Sequence, residues 1–147
     1  PTLHEVFAAV GQKLLVNVEI KADTARIEHV VAESLERFGM KDRVIISSFN
    51  PEILRRFRAV MPEVAIGYLY MPGRDYEPEV ALKDFPFEAL HPYHEMITAD
   101  YVTKAKQENH HINTWTVNDP ERAVELKRLG VNVIITDNPD VLLAALK

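Results

Sequence analysis

The sequence contains no cysteine. That excludes disulfides, thiolate metal sites and a cysteine nucleophile, and it leaves the compartment open, with the cytoplasm favoured. Glycine is scarce, at five in 147 residues, and no GxGxxG or GxxxxGK[ST] arrangement occurs. A dinucleotide-binding fold and a P-loop thereby lose their main support. There is no basic excess: 17 Lys and Arg stand against 22 Asp and Glu, for a net charge of −5. Nothing offers a nucleic-acid backbone a positive stripe. No apolar run approaches the roughly 20 residues of a membrane span, and the opening residues do not have the layout of a signal peptide.

What is present is an ordinary globular composition, 47% hydrophobic and 27% charged, at a length that predicts one domain. Short apolar runs alternate with helical patterns. Thr2 and Glu5 form a capping-box pair that predicts a helix over residues 2–10. The stretch LLVNVEIK, 14–21, reads as a strand. Asp23 or Thr24 is expected to start a long helix that ends near Gly39. RVIISSF (43–49), VAIGYLY (64–70), EALHP (88–92), HINTWTVN (111–118) and VNVIITD (131–137) read as further strands. Residues 71–86, with three prolines and a glycine, read as a loop. Thr98 is placed to cap a helix. Asn50-Pro51, Asp119-Pro120 and Asn138-Pro139 follow strands directly and read as helix starts, each pairing a capping side chain with proline in the first turn. Alternating strands and helices predict βαβ units and a parallel sheet, with any site at the carboxyl ends of the strands.

LLVNVEIK poses the sharpest problem. Val16, Val18 and Ile20 share one face of the strand, and Asn17, Glu19 and Lys21 share the other. In an open doubly wound sheet both faces meet helices, and burying those polar groups would cost several kcal/mol for an unpaired charge. A (β/α)8 barrel removes the conflict, because its inward face turns polar toward the active-site end. A carboxylate beside an ammonium in one cavity suits a metal ion and an anionic substrate. A structural ion pair at a strand end is the other reading, and the residues alone leave the two open.

Taken together, PTLHEVF, LLVNVEIK, VIISSFNPE, ALHP and TWTVNDPERAVELKRLGVNVIITDNPD resemble, in order and over nearly the whole chain, the C-terminal part of the glycerophosphodiester phosphodiesterases. The resemblance implies an α/β fold, a partial (β/α)8 TIM barrel similar to the phosphatidylinositol phospholipases and running from the fourth strand onward. It implies hydrolysis of small glycerophosphodiesters to glycerol 3-phosphate and an alcohol with a divalent metal ion, Mg or Ca. By the same resemblance Glu19 falls on a metal ligand and Lys21 on the catalytic group near the substrate phosphate. Phe49 and Trp115 fall on the walls of the pocket. His91, at a strand exit, is expected to face the substrate.

The family's HRG segment, its Glu-x-Asp metal pair and its second catalytic histidine have no counterpart in these residues. The chain is therefore expected to be inactive alone. Together with a start on Pro1 instead of a methionine, this suggests a fragment that pairs with a missing N-terminal half or self-associates through open strand edges. The alternative function is a non-catalytic, oligomerising module. His91, His94, His110 and His111 lack a third ligand at a fixed spacing and read as strand-end or loop histidines rather than a zinc site. Ser47 and Ser48 have no nucleophile elbow around them and read as residues that pack or bond locally. Tyr68 and Tyr70 read as wall packing, Asp137 as a cap or a partner for backbone, and Arg55, Arg56 and Arg58 as a solvated helix face.

Overall fold

The computed structural model describes residues 1–11, 13–73 and 77–147, and the chain divides into two compact units, Pro1–Gly67 and Tyr68–Lys147. The part of the expected 71–86 loop at 74–76 lies outside the described residues.

The first unit holds helix α1 (Leu3–Val10), strand β1 (Val16–Glu19), helix α2 (Ile27–Phe38), strand β2 (Val44–Ser48), helix α3 (Pro51–Val60) and the start of strand β3 (Ala65–Tyr70). The capping box forms as expected: Thr2 Oγ1 accepts from Glu5 N, and Glu5 Oε2 accepts from Thr2 N. β1 and β2 are parallel, with Val16 opposite Val44 and Glu19 opposite Ser47. The core of this unit is Phe7, Ile20, Leu35, Met40, Ile46, Ile53, Leu54 and Phe57, all buried. Phe7, Leu35, Leu54 and Phe57 come from the three helices, so each helix covers an apolar sheet face with one stripe.

Three expectations for this unit are corrected. The strand is shorter than 14–21: Leu14 and Leu15 are exposed, Leu15 at 78%, and pairing begins at Val16. α2 starts at Ile27, not at Asp23 or Thr24. Its first flanking residue, Arg26, is left-handed at φ 63 and makes no side-chain cap. Asp23 instead binds Arg56 on α3 at 2.5 Å, and Arg56 also lies 3.5 Å from Glu28. The arginines of α3 are thus not simply solvated. Arg58 donates to the carbonyls of Pro62 and Val64 at 2.7 and 3.1 Å, closing the turn that follows the helix.

The second unit holds the end of β3, a short helix α4 (Pro78–Ala81), strand β4 (Ala89–Pro92), helix α5 (Ala99–Gln107), strand β5 (His111–Thr114), helix α6 (Pro120–Leu129), strand β6 (Val133–Ile134) and helix α7 (Pro139–Ala145). β4 and β5 are parallel, as are β5 and β6. α4 is a helical turn inside what the sequence marks as loop. Thr98 caps α5 through Tyr101 N, and Asp119 caps α6 through Glu121 N. Gly130 ends α6 at φ 96, a conformation glycine adopts without a side-chain penalty. The Tyr68 and Tyr70 rings are buried and stacked with centroids 5.5 Å apart, and the Tyr70 hydroxyl meets that of Tyr101.

Asn50 and Asn138 look alike in sequence and behave differently. The Asn50 side chain accepts from Glu52 N at 2.9 Å, whereas Asn138 makes no side-chain cap. Asn50→Ala is expected to cost about 1 kcal/mol of unfolding free energy, and Asn138→Ala to stay within about 0.5 kcal/mol. Urea unfolding of the two variants measures both, and equal losses would contradict the assignment.

Candidate functional site

In the first unit the register puts Asn17, Glu19 and Lys21 on the face of the pair that also carries Ile45, Ser47 and Phe49. Glu19 and Lys21 are 3.6 Å apart, with the carboxylate side chain 28% exposed and the lysine side chain 79% exposed. An ion pair this open contributes at most about 1 kcal/mol. Structural need therefore explains little of its presence, while an ammonium held free in water is available to an anion. Beside it, Ser47 is fully buried, and among the described residues its hydroxyl has no hydrogen-bond partner. Ser48, on the opposite face, donates to Ile20 O at 2.7 Å and accepts from Asn50 N at 3.1 Å. It thus ties the exit of β1 to the cap of α3. Phe49 follows directly and is half-buried.

In the second unit His91 and Trp115 stand on neighbouring strand exits. Ala89 lies opposite His111, so the same parallel step brings His91 opposite Asn113 and Tyr93 opposite Trp115. Asn113 Nδ2 lies 3.0 Å from His91 Nε2. Thr114 Oγ1 donates to Pro92 O at 2.9 Å, and the Trp115 indole N–H donates to His91 O at 2.8 Å. Three consecutive side chains of β5 therefore rivet its end to β4 and fix the plane of the single tryptophan. Tyr93 packs against that indole with ring centroids 5.6 Å apart. His91 is fully buried, its Nδ1 has no hydrogen-bond partner among the described residues, and burial pushes its pKa down to about 4.

Of the residues the sequence proposes, Glu19, Lys21 and Phe49 are thus gathered in the first unit, and His91 and Trp115 in the second. Asn113 was missed, although its spacing of two from Trp115 would have placed it on the same face. Asp137 meets the Asn118 side chain twice, its carboxylate accepting from Asn118 Nδ2 at 2.9 Å and its own N–H donating to Asn118 Oδ1 at 3.0 Å, so its carboxylate pairs with an amide side chain and not with the backbone group expected. Among the described residues no group of three or more His, Cys, Asp or Glu could hold a metal ion. Glu19 offers one hard oxygen ligand, and the residues described here do not complete a coordination sphere around it.

A histidine whose folded pKa lies below its ordinary 6.5 binds its proton more readily in the unfolded chain. Its contribution is fully present above pH 6.5 and is lost as the pH falls toward about 4, by at most about 3 kcal/mol. His91→Asn is expected to flatten that part of the stability profile. Melting temperatures from pH 7 to 4 test it, and parallel profiles for variant and parent would show that His91 is not held neutral.

A family model described as the glycerophosphoryl diester phosphodiesterase family matches residues 1–141. A curated protein named glycerophosphodiester phosphodiesterase, from Caldanaerobacter subterraneus subsp. tengcongensis, is 35% identical over 97% of this chain and 60% of its own length. The chain thus spans about three fifths of the curated relatives it matches. A crystal structure provisionally named as a glycerophosphoryl diester phosphodiesterase, from Silicibacter pomeroyi, superposes with a TM-score of 0.87 at 24% identity, over 99% of this chain and 56% of that one. A phosphodiesterase of Oleispira antarctica, solved with the product sn-glycerol-3-phosphate, superposes with a TM-score of 0.78 at 25% identity, over 99% of this chain and 61% of that one. The α/β fold expected from the sequence is the fold of these neighbours.

Proposed function

The chain belongs to the glycerophosphoryl diester phosphodiesterase family, and we propose that it supplies part of the substrate site of an enzyme that hydrolyses glycerophosphodiesters to glycerol 3-phosphate and an alcohol. The observation that carries this reading is the Glu19–Lys21 pair, an exposed ammonium 3.6 Å from a carboxylate at a strand exit. The Oleispira structure supports it, since that relative holds the glycerol phosphate half of such a substrate.

In this reading the Lys21 ammonium meets the phosphoryl oxygens and offsets the negative charge that grows on them as water adds to phosphorus. The bond from phosphorus to the alcohol oxygen then breaks, and that oxygen takes a proton. In the first unit Phe49 stands on the same face as the pair and offers the glycerol or head-group carbons an apolar contact; in the second, the family resemblance assigns such a contact to Trp115, which the His91 carbonyl holds in orientation. His91 stays neutral there, paired with Asn113. Glu19 offers one oxygen to a divalent ion, Mg or Ca, whose remaining ligands the family resemblance assigns to a Glu-x-Asp pair absent from these 147 residues. The same resemblance assigns proton transfer to two histidines that are also absent here. Such groups contribute about 10²–10⁴-fold, so the 147 residues alone are inactive in this reading. Within their own units β1 and β6 each have one strand neighbour among the described residues. The free edges would pair with the remaining strands of a (β/α)8 barrel, or with a second copy.

A chimera tests the reading. This chain replaces the matching part of the Caldanaerobacter relative, and turnover of a glycerophosphodiester is measured with added Mg²⁺ or Ca²⁺. Lys21→Met is expected to lower kcat/KM by about 10²-fold, and Glu19→Gln to abolish the response to added metal. Full activity in both variants would remove the pair from the site. Turnover by the isolated 147 residues would overturn the claim that the proton-transfer groups lie elsewhere.

A further inference from the structure

The two units repeat one local construction. In the first, Glu19 stands opposite Ser47, Ser48 donates to Ile20 O at 2.7 Å, and Phe49 follows. In the second, His91 stands opposite Asn113, Thr114 donates to Pro92 O at 2.9 Å, and Trp115 follows. Position by position, a small polar residue faces the functional side chain of the preceding strand. A hydroxyl then clamps the next carbonyl, and an aromatic residue closes the exit. In sequence the two stretches are Ser-Ser-Phe and Asn-Thr-Trp, too unlike to be read as a repeat.

The copies differ at one point. In the second unit the polar residue does its job: the Asn113 amide is hydrogen-bonded to the His91 ring at 3.0 Å. In the first the equivalent Ser47 hydroxyl is fully buried and has no hydrogen-bond partner among the described residues, while the Glu19 carboxylate leans on Lys21. A buried hydroxyl left unbonded is costly, and such groups are rare in folded proteins. The group directly across the strand pair is a carboxylate, an acceptor with several free lone pairs.

We infer that Ser47 is the positioning residue for Glu19, its hydroxyl donating to the Glu19 carboxylate as the Asn113 amide holds the His91 ring. With the carboxylate held from the strand side, the Lys21 ammonium is released toward an anionic ligand. Ser48 has a different task, the backbone clamp, although it is the adjacent residue of the same type. The inference deepens the site of the proposed phosphodiesterase and depends on that reading only for its activity arm.

A double-mutant cycle on the purified 147-residue chain tests it. Ser47→Val and Ser47→Thr have the same shape and differ by the hydroxyl, and each is made with Glu19 and with Glu19→Ala. With Glu19 present, the valine variant is expected to have a lower urea midpoint than the threonine variant. In the Glu19→Ala background most of that difference is expected to vanish. An undiminished difference would show that Ser47 bonds something else and would overturn the inference, whatever the chain hydrolyses. In the chimera Ser47→Val is expected to lower kcat/KM about tenfold and Ser47→Thr to restore it. Loss in both variants would also count against a hydroxyl-specific role. An inactive parent chimera with an intact stability cycle would sink the phosphodiesterase reading and leave the Ser47–Glu19 bond standing.

Discussion

Where a parallel strand leaves the sheet, its last carbonyls lose their ladder partners and must be satisfied by something else. Much of the local order in this protein follows from how that is done. At the exit of β1 the Ile20 N–H still bonds Ser47 O at 2.8 Å, and the Ile20 carbonyl is taken by the Ser48 hydroxyl. At the exit of β4 a proline has no N–H to give, and the Pro92 carbonyl is taken by the Thr114 hydroxyl. Each clamp fixes the backbone one residue beyond a candidate site residue, Glu19 or His91. Glu19 and His91 therefore project from anchored strand ends rather than from loose loops.

The same geometry separates charge from burial. β1 ends where water reaches, and it carries a carboxylate and an ammonium that solvent can stabilise. β4 is sealed by Trp115, Tyr93 and Asn113, and it carries an imidazole that burial keeps neutral. An ionised group at the His91 position would lack the water it needs and has no opposite charge among its hydrogen-bond partners in that cluster. A neutral imidazole at the Glu19 position would leave the Lys21 ammonium without its carboxylate partner. Equivalent positions in the two units thus hold different chemistry because their surroundings tolerate different charge states.

Much of this was legible in the sequence, and the part that was not has a common cause. Caps that depend on two or three neighbouring residues, Thr2 with Glu5, Asn50 with Glu52 and Asp119 with Glu121, form as their spacing implies. Elements set by distant partners do not. Asp23 looks like a helix cap and is taken by Arg56, 33 residues away. Asn138 looks like a second Asn50, but the turn before it is organised by Asn118, which binds both Thr136 and Asp137. The strand expected over 131–137 narrows to Val133–Ile134 in regular pairing, while Ile135 still exchanges bonds with Thr114 and Val117. Strand parity was readable throughout, since alternation is a property of the backbone. It placed Glu19 with Lys21 correctly. It could not show that the residue opposite Glu19 is Ser47, because register between strands is set by tertiary packing.

That distinction bears on how residues of one type should be weighed. Ser47 and Ser48 are adjacent and identical, and either looks dispensable in a strand. Register makes one a neighbour of the carboxylate and the other a bond to the backbone, so the consequences of losing them diverge. Removing the Ser48 hydroxyl strips partners from the Ile20 carbonyl and the Asn50 N–H, which strains the strand exit and the start of α3 together. Removing the Ser47 hydroxyl leaves the bonds of that strand exit and of the α3 cap intact. Ser47 is buried at full depth on the face that carries the charged pair, so its surroundings are those of the carboxylate and not those of the backbone clamp.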